Sequence, residues 1–208
     1  MAAELTFLHV GCGPSRKAHA GPGFQPDHWR EIRLDIDPSV EPDIVGTMLD
    51  MGGVPDASVD AVYSAHNIEH LYAHEVPRAL SEFRRVLKPQ GFVVITCPDL
   101  QAVARLVANG QLTDAAYVSP MGPVSPMDII FGYGPALAAG NSHMAHRCGF
   151  TLDVLLASLR TAGFAGVAGV ARAQGLDLWA LATREALPEA ALRQLAATHL
   201  PLTRSATP

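Results

Sequence analysis

Several things are scarce in this sequence, and each scarcity removes a class of protein. Only three cysteines occur in 208 residues, Cys12, Cys97 and Cys148, widely spaced and odd in number. Without a Cys-x-x-Cys pair, neither a disulfide framework nor a zinc ribbon is expected. No apolar run approaches the roughly 18 residues that a membrane-spanning helix needs. Basic residues form no run beyond Arg84-Arg85 and Lys88, and the formal net charge is −5. A nucleic-acid binder normally carries a basic stripe that neutralises phosphates, so nucleic acid is not an expected partner. The opening MAAELTFLHVGCG lacks the basic start and cleavage site of a signal peptide, which makes the cytoplasm the default expectation. Internal repeats and low-complexity segments are also lacking.

What remains is a chain with 49% hydrophobic and 17% charged residues, suited to burying one sizeable core. Its length fits a single domain over residues 1–200, with a Pro/Ser/Thr tail at 201–208 that is expected to be mobile. Apolar, β-branched runs at 5–10, 31–36, 43–45, 59–64 and 92–97 read as five strands. Between the last two, Val76, Leu80, Phe83 and Leu87 form one apolar stripe, predicting a helix over 74–88 that ends at Lys88-Pro89-Gln90-Gly91. A helix is expected at 99–109. Another follows Thr151, a predicted N-cap, and ends at Gly163, and a last one covers about 187–198. Strands alternating with helices imply a doubly wound, mostly parallel α/β sheet of seven strands. The last two, near 165–171 and 177–182, lie too close in sequence for a helical crossover and must form an antiparallel hairpin. Residues 110–147, rich in proline and glycine, read as an irregular insert after the fifth strand. Tyr117, Met127, Phe131 and Tyr133 within it suggest a lid or acceptor pocket.

The first strand runs into Gly11-Cys12-Gly13, a bend that allows a close approach of the backbone to a ligand. Asp35 closes the second strand, where a carboxylate can accept both hydroxyls of a ribose. Asp37, just beyond, is read as capping the turn. Ribose occurs in NAD and in S-adenosylmethionine alike. A dinucleotide sets its pyrophosphate on the N-terminus of the first helix. Here Gly21, Pro22, Gly23 and Pro26 oppose any helix past Ala20, and Arg16 stands where the third fingerprint glycine belongs. S-adenosylmethionine has no phosphate and loses little by the broken helix. Its carboxylate needs only a few donors, such as Ser15.

In order along the chain, LHVGCGPS, IRLDIDPSVEPDIVGTMLDM, VDAVYSAHNIEHL, ALSEFRRVLKPQGFVVITCPDL and HRCGFTLDVLLASLRTAGF make the sequence resemble the class I (Rossmann-like) S-adenosylmethionine-dependent methyltransferases, particularly small bacterial members with a short first helix. The resemblance spans about residues 5–182. It implies that Gly11, Cys12 and Gly13 face the methionine part and that Asp35 binds the ribose. Thr47, Met48 and Leu49 would flank the adenine, although many relatives carry an acidic residue where Thr47 stands. Ser64 and Ala65 would line the floor near the methyl group, and Asp60 would be structural. The implied activity is methyl transfer to an oxygen or nitrogen of a small-molecule acceptor. Two alternatives are a non-catalytic S-adenosylmethionine-binding regulatory or scaffold protein and, disfavoured by the broken helix, an NAD-linked oxidoreductase. The expected partners are the acceptor and at most a second copy of the chain in a homodimer; no membrane is expected.

Nine histidines invite a metal hypothesis, because His66/His70 and His70/His74 share i, i+4 spacing. A strand-to-helix bend breaks that face, so no metal site is expected, and Glu69-His70 is read as capping and orienting the turn. If the acceptor is a hydroxyl, a base must take its proton, and His66, His143 and His146 are the candidates.

Overall fold

The computed structural model describes residues 4–201; residues 202–208 of the expected tail lie outside them. Among the described residues, nine strands and six α-helices follow in chain order. Strands β1 (Leu5–Val10), β2 (Trp29–Asp35), β3 (Ile44–Val45) and β4 (Val59–Ala65) precede helix α1 (Val76–Val86). Then come β5 (Leu87–Pro98), α2 (Leu100–Ala108), the hairpin β6 (Tyr117–Ser119) and β7 (Gly122–Val124), and the short helices α3 (Pro126–Phe131) and α4 (Gly134–Ala138). Helix α5 (Leu152–Thr161), strands β8 (Gly166–Arg172) and β9 (Asp177–Thr183), and helix α6 (Glu189–His199) are the last of the described elements.

Seven strands form one sheet in the order β3-β2-β1-β4-β5-β9-β8. The first five are parallel, while β9 runs antiparallel to both β5 and β8. This is the doubly wound sheet with a terminal antiparallel hairpin that the strand spacing implies. The β1–β4 pairing beside β2 reverses the winding direction, so a crevice opens at the carboxyl ends of β1, β2 and β4.

Alternation along each strand divides the core in two. On one face Leu8, Val10, Val62 and Ile95 pack against Leu80 and Phe83 of α1 and Leu155 and Leu159 of α5. On the other, Phe7, Trp29, Tyr63, Phe92 and Trp179 pack with Ala196 and Leu200 at α6. Thr151 caps α5 by accepting from the Val154 N–H at 3.4 Å, and Gly163 just beyond it adopts φ +89°, as a left-handed cap requires. Asp60 accepts from the Thr6 N–H and from Lys88 Nζ, each at 2.9 Å, which makes it a structural tie between strands.

Two expectations change. Strand β5 begins at Leu87, and the Lys88–Gly91 stretch that reads as a helix stop is the strand's irregular lead-in, with a register shift against Val59 and Ala61. The insert is not irregular throughout. It holds the β6–β7 hairpin and α3, whose Ser125 and Asp128 form a reciprocal cap, so its prolines and glycines punctuate short elements.

In place of the first crossover helix stand two single turns, Lys17–His19 and Pro22–Phe24. Glu31 anchors the first by accepting from the Lys17 N–H at 2.8 Å. The second drives Phe24 into the sheet, where it is wholly buried with ring centroids 4.7 Å from Phe7, 5.2 Å from Trp29 and 4.7 Å from His199. Phe24 thus covers sheet surface that a helix would cover. Phe24→Ala should lower unfolding free energy by about 3–5 kcal/mol in urea denaturation, the usual loss for a buried phenylalanine. A loss below about 1 kcal/mol would show that the aromatic plug is dispensable.

Candidate cofactor and acceptor cleft

The crevice at the carboxyl edge is a cleft of about 390 Å³. Val10, Gly11, Gly13, Leu34, Asp35, Thr47, Met48 and Leu49 form its first wall. The opposite wall comes from the turn after β4 and from the end of the insert: His66, Asn67, His70, Tyr72, Glu75, Asn141, His143, Met144 and Arg147.

The glycine bend needs its glycines for two different reasons. Both take left-handed backbone angles, φ +65° at Gly11 and +51° at Gly13. A Cβ on Gly11 would lie 2.1 Å from Asn67 Nδ2, whereas one on Gly13 would meet nothing within 4 Å and would project into open space. Asp35 fastens the loop, because its Oδ2 accepts from the Gly13 N–H at 2.7 Å and its Oδ1 from the Asp37 N–H at 2.9 Å. Each carboxylate oxygen keeps further lone-pair capacity for a ligand hydroxyl. Asp37 caps its own turn through Ser39 N at 2.8 Å.

Beneath the loop lies Arg33, only 2% exposed. Its guanidinium donates to the carbonyls of Gly13, Ser15, Val40 and Glu41, tying the glycine bend to the turn after β2. Nothing in the apolar pattern marks Arg33 as functional. The one available signal is that it shares a strand face with Asp35 two residues on.

Of the residues expected at the cofactor, Gly11, Gly13, Asp35, Thr47, Met48 and Leu49 line the cleft, and four others do not. Cys12 is buried, and that burial pushes its thiol up to about 11. Ser15 serves through its backbone, accepting from Arg33 Nε at 3.1 Å. Ser64 is fully buried, and Ala65 packs against the aromatic core. Alternation explains both, since consecutive residues at the end of β4 turn into the two packed faces and leave the cleft to His66 and Asn67.

Of the three candidate bases, His66 and His143 line the cleft and His146 does not. His66 takes φ +49°, an uncommon angle for a non-glycine residue, and its side chain is 52% exposed. Its Nδ1 lies 3.5 Å from Glu69 Oε1. Crowding of the ring lowers the His66 pKa, but the Glu69 carboxylate more than reverses this and leaves it above the ordinary value. His146 packs behind the cleft wall, and burial holds its pKa below the ordinary value. Tyr117, Met127, Phe131 and Tyr133 also lie away from the cleft. Tyr133 instead donates to the Met121 carbonyl at 2.7 Å. The insert reaches the cleft through 141–147, strapped on by the Arg147 and Cys148 N–H groups donating to the Glu69 carbonyl and by Arg147 lying 5.2 Å over the Tyr72 ring.

Residues 8–95, rather less than half of the chain, match the family model for a methyltransferase domain. Three solved structures share the fold over most of their length. One is an S-adenosylmethionine-dependent methyltransferase from Thermotoga maritima, at 15% identity and a TM-score of 0.55, covering 89% of this chain and 84% of that one. Another is a TehB-like S-adenosylmethionine-dependent methyltransferase from Corynebacterium glutamicum, at 17% identity and a TM-score of 0.51, with coverage of 89% and 83%. The fold is that of the class I S-adenosylmethionine-dependent methyltransferases. A third methyltransferase of this fold, the 1,6-didemethyltoxoflavin-N1-methyltransferase of Burkholderia thailandensis, is solved with its substrate and S-adenosylhomocysteine. It has 14% identity and a TM-score of 0.52, with coverage of 87% and 71%. No protein of curated function matches the chain in sequence.

The two glycines of this methyltransferase fold should separate experimentally. Gly13→Ala should cost only the roughly 1–2 kcal/mol of a left-handed alanine. Gly11→Ala should cost more, because it must also displace Asn67. Urea midpoints of the two variants give the comparison, and equal losses would contradict the packing described here.

Proposed function

We propose that the protein transfers the methyl group of S-adenosylmethionine to an oxygen or nitrogen of a small-molecule acceptor. The observation that carries the reading is Asp35, which lines the cleft beside a glycine bend open above Gly13. The donor set fits the cofactor. Asp35 can take ribose hydroxyls, Met48 and Leu49 offer apolar surface to an adenine, and Gly13 leaves room for close approach. The broken first crossover supports the same choice over NAD, since only the single turns Lys17–His19 and Pro22–Phe24 follow the glycine bend and no α-helix N-terminus is there for a pyrophosphate.

Bound S-adenosylmethionine supplies an electrophilic methyl on a cationic sulfur. The chain's part is to hold an acceptor in line and to exclude water, which is how positioning lowers such barriers. The wall made by Asn67, Tyr72, His143 and Met144 is the acceptor side in this reading. For a hydroxyl acceptor, His66 or His143 takes the proton, as both line the cleft and His146 does not.

Isothermal titration should find S-adenosylhomocysteine bound by the folded protein. Asp35→Ala should weaken it by about 10–100-fold, the equivalent of losing hydrogen bonds to a charged group at about 1.5–3 kcal/mol. No binding by the folded native chain overturns the reading, and unchanged affinity in the variant overturns the ribose assignment. With an acceptor in hand, His66→Ala or His143→Ala should lower kcat by about 10²–10⁴-fold if that residue is the base. His146→Ala should not show a loss of that kind.

A further inference from the structure

At the back of the second cleft wall, to which His70 itself belongs, Glu69, His70 and His146 bring one ligand atom each to within 4.8 Å of one another. Glu69 is 1% exposed, and neither of its carboxylate oxygens has a partner in hydrogen-bond geometry; its one ionic neighbour is His66, whose Nδ1 lies 3.5 Å from Oε1. A buried carboxylate met by only one long ion-pair contact, and leaving Oε2 unmet, is costly, so its surroundings need an explanation. The two histidines sharpen the question. His70 Nδ1 lies 3.1 Å from the Ala145 carbonyl, and His146 Nδ1 lies 2.8 Å from the Ile129 carbonyl. A carbonyl only accepts, so each Nδ1 carries a proton, and in the neutral ring each Nε2 is then left with a bare lone pair. With both rings neutral, two imidazole acceptors and one carboxylate meet with no donor among the three.

We infer that Glu69, His70 and His146 form a binding site for a divalent transition metal ion, with zinc the ion its two-nitrogen, one-oxygen donor set suits. Histidine ligands characteristically donate their second ring N–H to a carbonyl or carboxylate, which fixes the ligating nitrogen; both rings here are already held in that way. Tetrahedral zinc at about 2.0–2.2 Å from each ligand places ligand atoms about 3.3 Å apart, a closure that small side-chain rotations supply. Three protein ligands leave a fourth position open. A cavity of about 20 Å³, bordered by Glu69, His146 and Cys148, adjoins the cluster and has room for one water.

The site joins parts of the chain that are distant in sequence. Glu69 and His70 lie in the turn after β4, and His146 lies at the end of the insert. The i, i+4 histidine pairs that suggest a metal in the sequence are not the ones used. His74 stacks on Tyr72 and stands outside the cluster. A metal here would clamp the 145–148 segment onto the cleft wall, fixing His143, Met144 and Arg147 from behind. The inference does not depend on what the cleft binds.

Chelator-stripped, folded protein should take up one equivalent of Zn(II), measured by elemental analysis after gel filtration. One equivalent of Co(II) should give the d–d absorption of a tetrahedral site, and the metal should raise the melting temperature in a concentration-dependent way. Glu69→Gln should weaken binding by about 100-fold or more, at least the 10–100-fold that losing a supporting partner costs. His146→Asn gives the same readout should Glu69→Gln fail to fold, and His74→Ala should bind as the native chain does. No uptake by the folded protein would overturn the site and leave the cavity to a water molecule. Unchanged uptake in Glu69→Gln and His146→Asn, or an equal loss in His74→Ala, would overturn it as well.

Discussion

The Arg33 guanidinium, buried beneath the glycine bend, holds together what the cleft depends on. Burying a cation costs several kcal/mol unless its donors are met, and here four backbone carbonyls meet them. Two belong to the bend after β1 and two to the turn after β2. One side chain thus fixes the spacing between the glycines and the Asp35 strand end. From above, Asp35 adds its own hold through the Gly13 N–H. The loop is pinned from both sides while its outer surface above Gly13 stays open. Backbone carbonyls and N–H groups, together with an acidic strand end, then present a polar surface that needs no helix dipole.

The missing crossover helix follows the same logic. Gly21, Pro22 and Gly23 forbid it, and Phe24 compensates by inserting an aromatic ring where helical side chains would otherwise cover the sheet. A fold whose ligand carries pyrophosphate would lose binding by this replacement. A fold whose ligand carries a ribose and a sulfonium loses sheet cover only, and Phe24 restores it. The change therefore acts on stability and on ligand choice through different residues.

Much of this was legible in the residues themselves. The five parallel strands, the antiparallel pair, Thr151 and Gly163 as caps, and the Asp35 strand end all rest on local periodicity or local turn chemistry, which a linear sequence carries directly. What escaped depends on contacts between distant segments. Arg33 looks like an ordinary strand residue until four carbonyls from two turns gather around it. The insert's tyrosines and phenylalanine look like a lid, yet Asn141, His143 and Met144 reach the cleft, because the strap at Glu69 sets which part of the insert faces inward. Likewise Ser64 and Ala65 end a strand whose faces are both packed, so the cleft begins one residue later, at His66. The convergence of Glu69 with His70 and His146 spans 77 positions and has no signature in spacing.

The cleft's central claim is geometric and can be tested by seeing the ligand in place. A crystal structure with S-adenosylhomocysteine should show the ribose hydroxyls on the Asp35 carboxylate. The adenine should lie beside Met48, and the homocysteine end should run along the Gly11–Gly13 bend. A nucleoside bound elsewhere, or bound in the cleft with Asp35 making no contact to the ribose, would contradict the account.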